Sequence, residues 1–196
     1  MDLRIGIIGT GLMGADHVRT MSTVVPGACV SRIHDPDADL AAGIGREAGC
    51  EVATSALALI ESDDVDAVVV ASPERFHTEA VLACIAVDKP VLCEKPMAAN
   101  AEDAWPIVAE EVARGRRFVQ VGFMRRYDPR FVELKKLVDS GRIGEPRLVH
   151  AVHRNATDRA TTGAQLVAGS MIHEIDDIPW LLGDPLVAIR VESPVL

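Results

Sequence analysis

The chain has 196 residues, 48% of them hydrophobic and only 4% aromatic, and a formal net charge of −9. This length allows one large domain or a medium domain with a small one, and the aliphatic composition favours an α/β core over an aromatic-rich β-sandwich. The acidic balance and the scattered basic residues argue against a nucleic-acid partner. Because no apolar run reaches membrane-spanning length and the N-terminus does not resemble a signal peptide, we expect a soluble, cytoplasmic protein without a membrane partner.

Strands and helices alternate through the first two-thirds of the chain. Apolar and β-branched runs predict strands over 4–8, 28–34, 66–71, 91–94 and 118–121. Helical spacing between them predicts helices over 14–24, 37–49, 54–60, 78–87 and 103–113. We expect Thr54 to cap the third of these helices and Asp103 the fifth, which places Pro106 in a first turn. This alternation is typical of right-handed βαβ crossovers and an α/β, doubly wound parallel sheet.

The pattern changes after residue 121, where we place the boundary between two domains, 1–121 and 122–196. The pair Asp128-Pro129 predicts a helix start, and Gly141 predicts the end of that helix. Further patterns predict a strand, a helix and a last strand over 147–154, 170–182 and 186–191. The second domain is therefore expected to be a partial α+β domain.

A glycine-rich loop follows the first predicted strand. Its six residues match G-x-G-x-x-G: Gly9, Thr10, Gly11, Leu12, Met13 and Gly14. The motif follows a strand directly and opens a helix, which is the context that a dinucleotide-binding Rossmann fold requires. The glycines allow a tight turn, close approach of the backbone to a pyrophosphate, and close helix–strand packing. The helix N-terminus favours the phosphates.

Asp35 ends the second predicted strand, 21 positions after Gly14. A carboxylate there can accept hydrogen bonds from both ribose hydroxyls and would repel the 2′-phosphate of NADP. No basic residue directly follows Asp35 to offset that repulsion. The loop and Asp35 together predict NAD as the cofactor, and the alternative is a glycine turn beside an unrelated surface aspartate.

Two later strand ends carry residues with potential chemistry. Ser72 and Pro73 close a buried strand at the carboxyl edge where α/β sheets bind ligands, and His77 follows them. Glu94-Lys95-Pro96 closes the next strand in the same way, which would let Lys95 reach a ligand over the nicotinamide. The alternatives are a surface histidine that begins a helix and an ordinary solvated Glu-Lys pair.

The four cysteines show no C-x-x-C spacing, and Cys29 and Cys93 lie within apolar runs. We interpret them as buried small hydrophobic residues in a reducing compartment. The sequence gives no reason to assign a metal site.

Several stretches of the chain resemble the glucose–fructose oxidoreductase, inositol dehydrogenase and MocA (Gfo/Idh/MocA) family. They are GIIGTGLMG, AVVVASPERFHTEAVLACIAVDKPVLCEKPM, VGFMRRYDPRF and GRIGEP, between residue 5 and about residue 146. The segments HRNA at 153–156 and SMIHEID at 170–176 resemble its inositol 2-dehydrogenases most. The resemblance implies a Rossmann domain followed by an open, mostly antiparallel sheet domain. It also implies reversible oxidation of a ring hydroxyl in a cyclitol or sugar.

The same resemblance assigns roles to individual residues. It implies that Lys95 contacts the reacting hydroxyl and assists proton transfer, and that His173 accepts or relays the proton. It implies that three residues bind substrate hydroxyls: Arg126, His153 and Asn155. It also implies that Asp35 holds the adenosine ribose, and that Glu94 and the 72–77 loop flank the nicotinamide.

The chemistry of alcohol oxidation fits these roles. The nicotinamide takes the hydride, and a protein base with a pKa near the working pH has to take the proton. A histidine such as His173 suits that task. The alternative for His173 is a satisfied core residue on an apolar helix.

Two features depart from the family's pattern. The position one helical turn before His173 is Gly169, where the family has an aspartate that would orient the histidine or hold the substrate. Asp176 or Asp177 could substitute for it, and we expect weak or altered activity. Family members are also substantially longer, so the chain resembles a fragment, a truncated product or part of a larger assembly.

Three functions therefore compete. We expect an NAD-dependent dehydrogenase that oxidises a ring hydroxyl of a cyclitol like myo-inositol, or of a sugar, and forms a homo-oligomer if its second domain is completed. Gly169 and the missing C-terminal part favour instead an NAD-binding protein with little or no turnover. The third possibility is the same enzyme class acting on an aldose or a dihydrodiol, against which the HRNA segment argues.

Overall fold

A computed structural model describes residues 2–154 and 166–192 of the chain. The chain divides into two compact units, Met1–Gly122 and Phe123–Leu196, a division one residue beyond the predicted boundary. Among the helices of the described residues, none is long and apolar enough to cross a membrane.

A six-stranded parallel sheet forms the centre of the first unit. Its strands are β1 (Leu3–Ile8), β2 (Ala28–His34), β3 (Glu51–Val52), β4 (Ala67–Val70), β5 (Val91–Cys93) and β6 (Val119–Val121). They lie in the order β3-β2-β1-β4-β5-β6, and every neighbouring pair is parallel. The predicted doubly wound parallel sheet is confirmed, with the short β3 as an unpredicted addition. The strand order reverses between β1 and β4, which is where such sheets bind ligands.

Helices cover both faces of this sheet. They are α1 (Leu12–Thr23), α2 (Ala38–Ala48), α3 (Ala56–Ile60), α4 (His77–Ala86) and α5 (Ala101–Arg114), with a 3₁₀ turn at Glu74–Phe76. Ile7, Ile33 and Val69 belong to the core on one face, and Val68 and Val70 to the core on the other. Burial on both faces explains why the central strands are continuous β-branched runs and do not alternate.

Two helix starts differ from the prediction. Ser55 caps α3 by accepting a backbone N–H of its first turn, and Thr54 does not. Asn100 caps α5 by accepting the backbone N–H of Asp103 at 2.9 Å, so Asp103 is not the cap. Pro106 therefore lies inside the helix, where it forgoes one intrahelical hydrogen bond. The cap at Asn100 gives the backbone N–H of Asp103, in the first turn of the helix, a side-chain partner.

The carboxyl ends of the central strands align at one edge of the sheet. Ile8 of β1 pairs with Val70 of β4, and Val70 pairs with Cys93 of β5. The residues that follow these three positions are therefore neighbours. The glycine loop, Ser72 and Glu94 come together in this way.

The second unit is helical over much of its described part. Its elements are a 3₁₀ turn (Met124–Tyr127), α6 (Pro129–Asp139), a π-helical turn (Leu166–Ser170) and α7 (Ile172–Leu182). Asp128 caps α6 by accepting the backbone N–H of Arg130, as the Asp-Pro pair predicts. His173 is the second residue of α7.

The two strands predicted in this unit are not formed among the described residues. The segments 147–154 and 186–191 have no regular secondary structure. A strand forms only when its backbone N–H and C=O groups pair with a neighbouring strand, and neither segment is paired with a described residue. Their apolar side chains are correspondingly exposed, Leu148 by 88% and Val187 by 92%.

Candidate functional site

The glycine loop joins β1 to α1 with two glycines that leave no room for a side chain. Gly9 has a φ of 87°, and a Cβ there would lie 2.5 Å from the backbone nitrogen of Ser72. A Cβ on Gly14 would lie 1.8 Å from the carbonyl oxygen of Gly9. Gly11 differs, because a Cβ on it would meet no atom of the described residues within 4 Å. The first and third glycines thus serve the fold, and the second borders open space before the helix.

Asp35 lies directly beside this loop. One carboxylate oxygen accepts the backbone N–H of Thr10 at 2.6 Å, and the other accepts that of Asp37 at 2.9 Å. Burial raises the pKa of Asp35, but the backbone N–H groups that donate to it lower the pKa more, so it lies below its ordinary value. The carboxylate is therefore negatively charged near neutral pH and fixed relative to the loop.

The loop lies between Asp35 and Ser72, because β1 lies between β2 and β4. The Ser72 hydroxyl oxygen is buried and has no hydrogen-bond partner among the described residues. A buried polar group without a partner is costly unless a water or a ligand satisfies it. This hydroxyl and the open space at Gly11 fit a bound dinucleotide.

The remaining residues predicted at the cofactor lie at the same edge. Leu12 and Met13 begin α1 and are 90% and 46% exposed, so the start of this helix is accessible. Pro73 follows Ser72 and precedes the 3₁₀ turn. The first unit thus gathers the loop, Asp35 and the end of β4 at one place.

Glu94 and Lys95 follow β5 at this edge. Glu94 Oε1 lies 2.8 Å from Nε2 of His17 in α1, and Oε2 accepts the backbone N–H of Lys95 at 3.2 Å. The His17 hydrogen bond holds the pKa of Glu94 below its ordinary value, although burial raises it. The peptide bond between Lys95 and Pro96 is cis. Glu94 is therefore tied into the structure and is not half of a solvated Glu-Lys pair.

His77 begins α4, as the alternative interpretation predicts, but it is buried and not on the surface. Its Nδ1 lies 2.9 Å from the carbonyl oxygen of Pro96, and its Nε2 lies 2.7 Å from that of Ser72. The Sγ of Cys93 lies 3.3 Å from Nδ1. The ring therefore joins the two loops that the family resemblance places at the nicotinamide side.

In the second unit, two arginines of the 3₁₀ turn pair with three carboxylates of α7. Arg126 holds Asp176 through two hydrogen bonds of 2.8 and 2.7 Å. Arg125 donates to Glu174 at 2.7 Å and to Asp177 at 2.6 Å. Charge-assisted and bidentate pairs are the stronger kind of side-chain hydrogen bond, so they fix this turn against the helix.

Two histidines predicted for the site lie close together in the same unit. The ring centroids of His153 and His173 are 6.4 Å apart, and the ring planes differ by 23°. His153 Nδ1 lies 3.2 Å from each carboxylate oxygen of Glu174. Asn155, the third residue predicted to bind substrate, lies outside the described residues. The second unit therefore groups His153 and His173 beside the ion pairs of α7.

Gly169 does not share a continuous α-helix with His173. It lies in the π-helical turn, and α7 begins three residues later at Ile172. The i, i+4 alignment expected from the sequence is therefore altered, because a π turn closes over five residues. A Cβ at Gly169 would meet no described atom within 4 Å. Asp176 and Asp177, the candidate substitutes for the missing aspartate, are each held by an arginine.

Sequence reasoning missed three residues of these clusters: His17, Arg125 and Glu174. No local pattern reveals the pair of His17 and Glu94, because it joins residues 77 positions apart. For the second unit a signal exists in the adjacent basic residues at 125 and 126 and the three carboxylates of α7. Their opposite charges favour the pairing that the structure has.

Comparisons with known proteins agree with this geometry. The sequence model described as "Oxidoreductase family, NAD-binding Rossmann fold" matches residues 3–123, and the GFO/IDH/MocA C-terminal domain matches residues 131–195. The chain belongs to the Gfo/Idh/MocA oxidoreductase family. Its first unit is the NAD-binding Rossmann domain of that family.

Curated relatives of this Gfo/Idh/MocA chain include inositol 2-dehydrogenases. It is 47% identical to inositol 2-dehydrogenase 2 of Saccharopolyspora erythraea, over 99% of the chain and 58% of that relative. It is 45% identical to the inositol 2-dehydrogenase of Pseudomonas savastanoi pv. phaseolicola, over 99% of the chain and 59% of that relative. The chain thus spans less than two-thirds of the length of these relatives.

Solved structures of the family are similar over most of the chain. Myo-inositol dehydrogenase from Lactobacillus casei, in complex with NAD(H) and myo-inositol, has a TM-score of 0.88 at 36% identity, covering 93% of this chain and 55% of that chain. Scyllo-inositol dehydrogenase from Lactobacillus casei, with bound NAD(H) and scyllo-inositol, has a TM-score of 0.79 at 25% identity. This match covers 93% of the present chain and 57% of that one. Both hold the cofactor that the glycine loop and Asp35 predict.

Proposed function

We propose that this Gfo/Idh/MocA protein is an NAD-dependent oxidoreductase that oxidises a ring hydroxyl of a cyclitol like myo-inositol, or of a sugar, to a ketone. The observation that carries the proposal is the position of Glu94-Lys95-Pro96 beside the glycine loop, at the carboxyl edge of the sheet. A lysine at this place, in a chain 47% identical to an inositol 2-dehydrogenase, supports proton transfer at an alcohol over the nicotinamide.

In this proposal the first unit binds NAD. The backbone N–H groups of the 9–14 loop, at the N-terminus of α1, hold the phosphates. Asp35 accepts hydrogen bonds from the ribose hydroxyls and disfavours the 2′-phosphate of NADP. Ser72, Pro73 and Glu94 flank the nicotinamide, and His77 supports their loops. Bound NAD supplies the hydride acceptor of the reaction.

The roles in proton transfer and substrate binding are those that the family resemblance implies. Lys95 donates a hydrogen bond to the reacting hydroxyl and assists the loss of its proton, which His173 accepts or relays. Arg126, His153 and Asn155 bind the other ring hydroxyls. The pair with Asp176 uses two of the five N–H donors of the Arg126 guanidinium, so this role is compatible with the observed ion pair.

An NAD titration followed by an NADH-absorbance assay tests the proposal. The substrates are a panel of inositol isomers, hexoses, aldoses and a dihydrodiol. We expect NAD binding and NADH formation with at least one inositol. Reduction of NAD by the dihydrodiol alone would contradict the assignment to a cyclitol or sugar and leave the enzyme class intact.

A second candidate function is an NAD-binding protein with little or no turnover. Gly169 favours it, because the carboxylate expected before His173 is replaced by a residue without a side chain. NAD binding without reduction across the whole panel supports this candidate over the dehydrogenase.

The proposal extends to the second domain and its partners. We propose that 147–154 and 186–191 are strands of a mostly antiparallel sheet in a protein of the relatives' full length. This rests on the match of residues 131–195 to the family's C-terminal domain. Such a sheet is also the proposed homo-oligomer interface. A polyol or sugar is the proposed small-molecule partner, and the absence of nucleic-acid and membrane partners and the cytoplasmic location stay predictions.

A further inference from the structure

The segment Glu94-Lys95-Pro96 is held by a histidine on each side of the lysine. On the N-terminal side, His17 binds the Glu94 carboxylate at 2.8 Å. On the C-terminal side, His77 Nδ1 lies 2.9 Å from the Pro96 carbonyl oxygen. Neither contact is local, because the partners are 77 and 19 positions apart in sequence. The two contacts tie the Lys95 backbone to helices α1 and α4.

His77 also ties this segment to the end of β4. Its Nε2 lies 2.7 Å from the Ser72 carbonyl oxygen, and the residue is 1% exposed. Each ring nitrogen therefore lies within hydrogen-bond distance of a backbone carbonyl oxygen, one in each loop, and the ring bridges the two loops. A ring in this place fixes the distance between the Ser72 loop and the Lys95 loop. Because the ring is buried, solvent water does not compete for these contacts.

His17 ties the same segment to the glycine loop. It lies on α1, three residues after Gly14, so the helix that opens at the loop also carries the partner of Glu94. The side chains of His17 and Glu94 are only 18% and 16% exposed, where a hydrogen bond is less weakened by solvent than at the surface. Glu94 in turn accepts the backbone N–H of Lys95.

We propose that His17 and His77 are positioning residues for Lys95, and that together they set the placement of its amine by holding the Glu94 side chain and the Pro96 carbonyl oxygen on either side of it. The proposed importance of this placement for turnover rests on the proposed function. The hydrogen bonds of His17 and His77 to this segment lie within the first unit. Their effect on Lys95 can therefore be tested whether or not the protein turns over a substrate.

Matched substitutions separate placement from general stability. In asparagine the amide nitrogen takes the position of a histidine Nδ1, and in glutamine that of Nε2. His77→Asn therefore keeps the bond to Pro96 and loses the one to Ser72, while His77→Gln does the reverse. For His17 the binding atom is Nε2, so His17→Gln is the conservative variant and His17→Asn the disruptive one. The exposed His150 supplies a control, His150→Gln.

Competitive labelling of the lysines with trace acetic anhydride, read by peptide mass spectrometry, reports on Lys95 without any substrate. The internal reference is Lys136, which is exposed on α6. We expect the Lys95 to Lys136 labelling ratio to change in His77→Gln and His17→Asn, by up to about tenfold, the equivalent of one lost buried hydrogen bond. We expect it to stay near the parent ratio in His77→Asn, His17→Gln and His150→Gln.

Kinetics and thermal unfolding complete the test. If the parent turns over a substrate, kcat should fall more in His77→Gln than in His77→Asn, and more in His17→Asn than in His17→Gln, at comparable Tm and NAD Kd. If one histidine's variants fail to fold, the pair at the other histidine decides. Equal labelling ratios in both members of each pair would overturn the positioning role, whether or not the parent is active. If the parent shows no turnover but the Lys95 to Lys136 labelling ratios of the variants change as expected, the result contradicts the proposed function and not the positioning role.

Discussion

The two units hold their candidate site residues by different means. In the first unit, backbone groups hold two of these side chains, since Asp35 accepts two backbone N–H groups and His77 faces two backbone carbonyl oxygens, and Glu94 is in addition bonded to the side chain of His17. In the second unit, charged side chains hold one another, as in the pairs of Arg125 and Arg126 with the carboxylates of α7. A backbone contact persists as long as the sheet is folded, whereas an ion pair depends on pH and salt. The fold therefore preorganises the candidate residues of the first unit, and charge preorganises those of the second.

Lys95 allows the sharpest test of this comparison, because it lies in the first unit next to the glycine loop and carries the proposed chemistry. In Lys95→Met the ammonium is lost, while the glycine loop and Asp35 are untouched. We expect kcat to fall by about 10²–10⁴-fold, the usual contribution of a positioned acid or base. We expect the Kd for NAD, measured by calorimetric titration, to stay close to that of the parent.

Lys136→Met on the exposed face of α6 is the matched control and should leave both constants unchanged. A Lys95→Met variant that lost NAD affinity and turnover in equal measure would show that Lys95 serves binding. The separation of cofactor binding from chemistry would then be wrong.

The glycine loop tests how far the fold alone prepares the cofactor half. Gly14→Ala places a Cβ 1.8 Å from a backbone oxygen, so we expect it to destabilise the first unit by about 1–3 kcal/mol, as overpacking does. Gly11→Ala meets no described atom within 4 Å, so its Tm should stay near that of the parent. We expect its NAD affinity to fall about tenfold, or 1.4 kcal/mol, because the methyl group occupies the approach of the phosphates.

Urea unfolding and NAD titration of both variants check this contrast. Gly43→Ala is a control inside α2, where a Cβ also meets no described atom, and should stabilise the chain by about 0.5–1 kcal/mol. If NAD binding were unchanged in Gly11→Ala, the second glycine would not form part of the cofactor site.

Gly169→Asp tests whether the second unit lacks a carboxylate that the reaction needs. It supplies the carboxylate expected before His173, and the structure leaves space for its Cβ. We expect turnover to rise several-fold in a steady-state NADH assay, with NAD affinity unchanged because the first unit is not altered. Gly169→Asn, of the same shape without the charge, should give a smaller gain. No gain in the aspartate variant would mean that the loss of this carboxylate does not limit the reaction.

What could be predicted from the sequence depends on whether a feature follows from a local pattern or from contacts between distant segments. The parallel sheet, the glycine loop and the edge that gathers Ser72 and Glu94 follow from β-branched runs and strand ends, which are local patterns. The bonds of His17 to Glu94 and of His77 to two carbonyl oxygens join distant segments, and no local pattern specifies them. The sequence predicts the cap of α5 at Asp103, because that start places Pro106 in the first turn, whereas the helix tolerates Pro106 in its interior and is capped by Asn100.

The second unit was harder to predict because its elements depend on partners. The alternation at 147–154 is compatible with a strand, but a strand also needs a paired neighbour, and none is found among the described residues. The start of α7 at Ile172 follows a π-helical turn, which no spacing rule for α-helices predicts. Charge complementarity is a usable signal for the pairing of the two arginines with α7, as the Asp128-Pro129 pair is for the start of α6.

The smallest effect that we expect is a change in the acid dependence of stability. Burial raises the pKa of Glu174, but hydrogen bonds from Arg125 and His153 lower it more, so its pKa lies below the ordinary value of 4.5. A carboxylate with a depressed folded-state pKa stabilises the fold fully above its unfolded-state pKa and loses that contribution as the pH falls through its folded-state pKa. In Glu174→Gln, the free energy of unfolding should therefore fall less steeply below about pH 4.5 than in the parent.

Urea unfolding monitored at several pH values from neutral to acidic measures this slope. Glu145→Gln is the control, because the Glu145 side chain is 74% exposed beside Arg147 and such surface pairs contribute little. Added salt should weaken the Glu174 contribution in the parent, since it rests on charge, but should leave the backbone-held Asp35 site and its NAD affinity less affected. If salt weakened both units equally, the distinction between a site held by the backbone and a site held by ion pairs would fail.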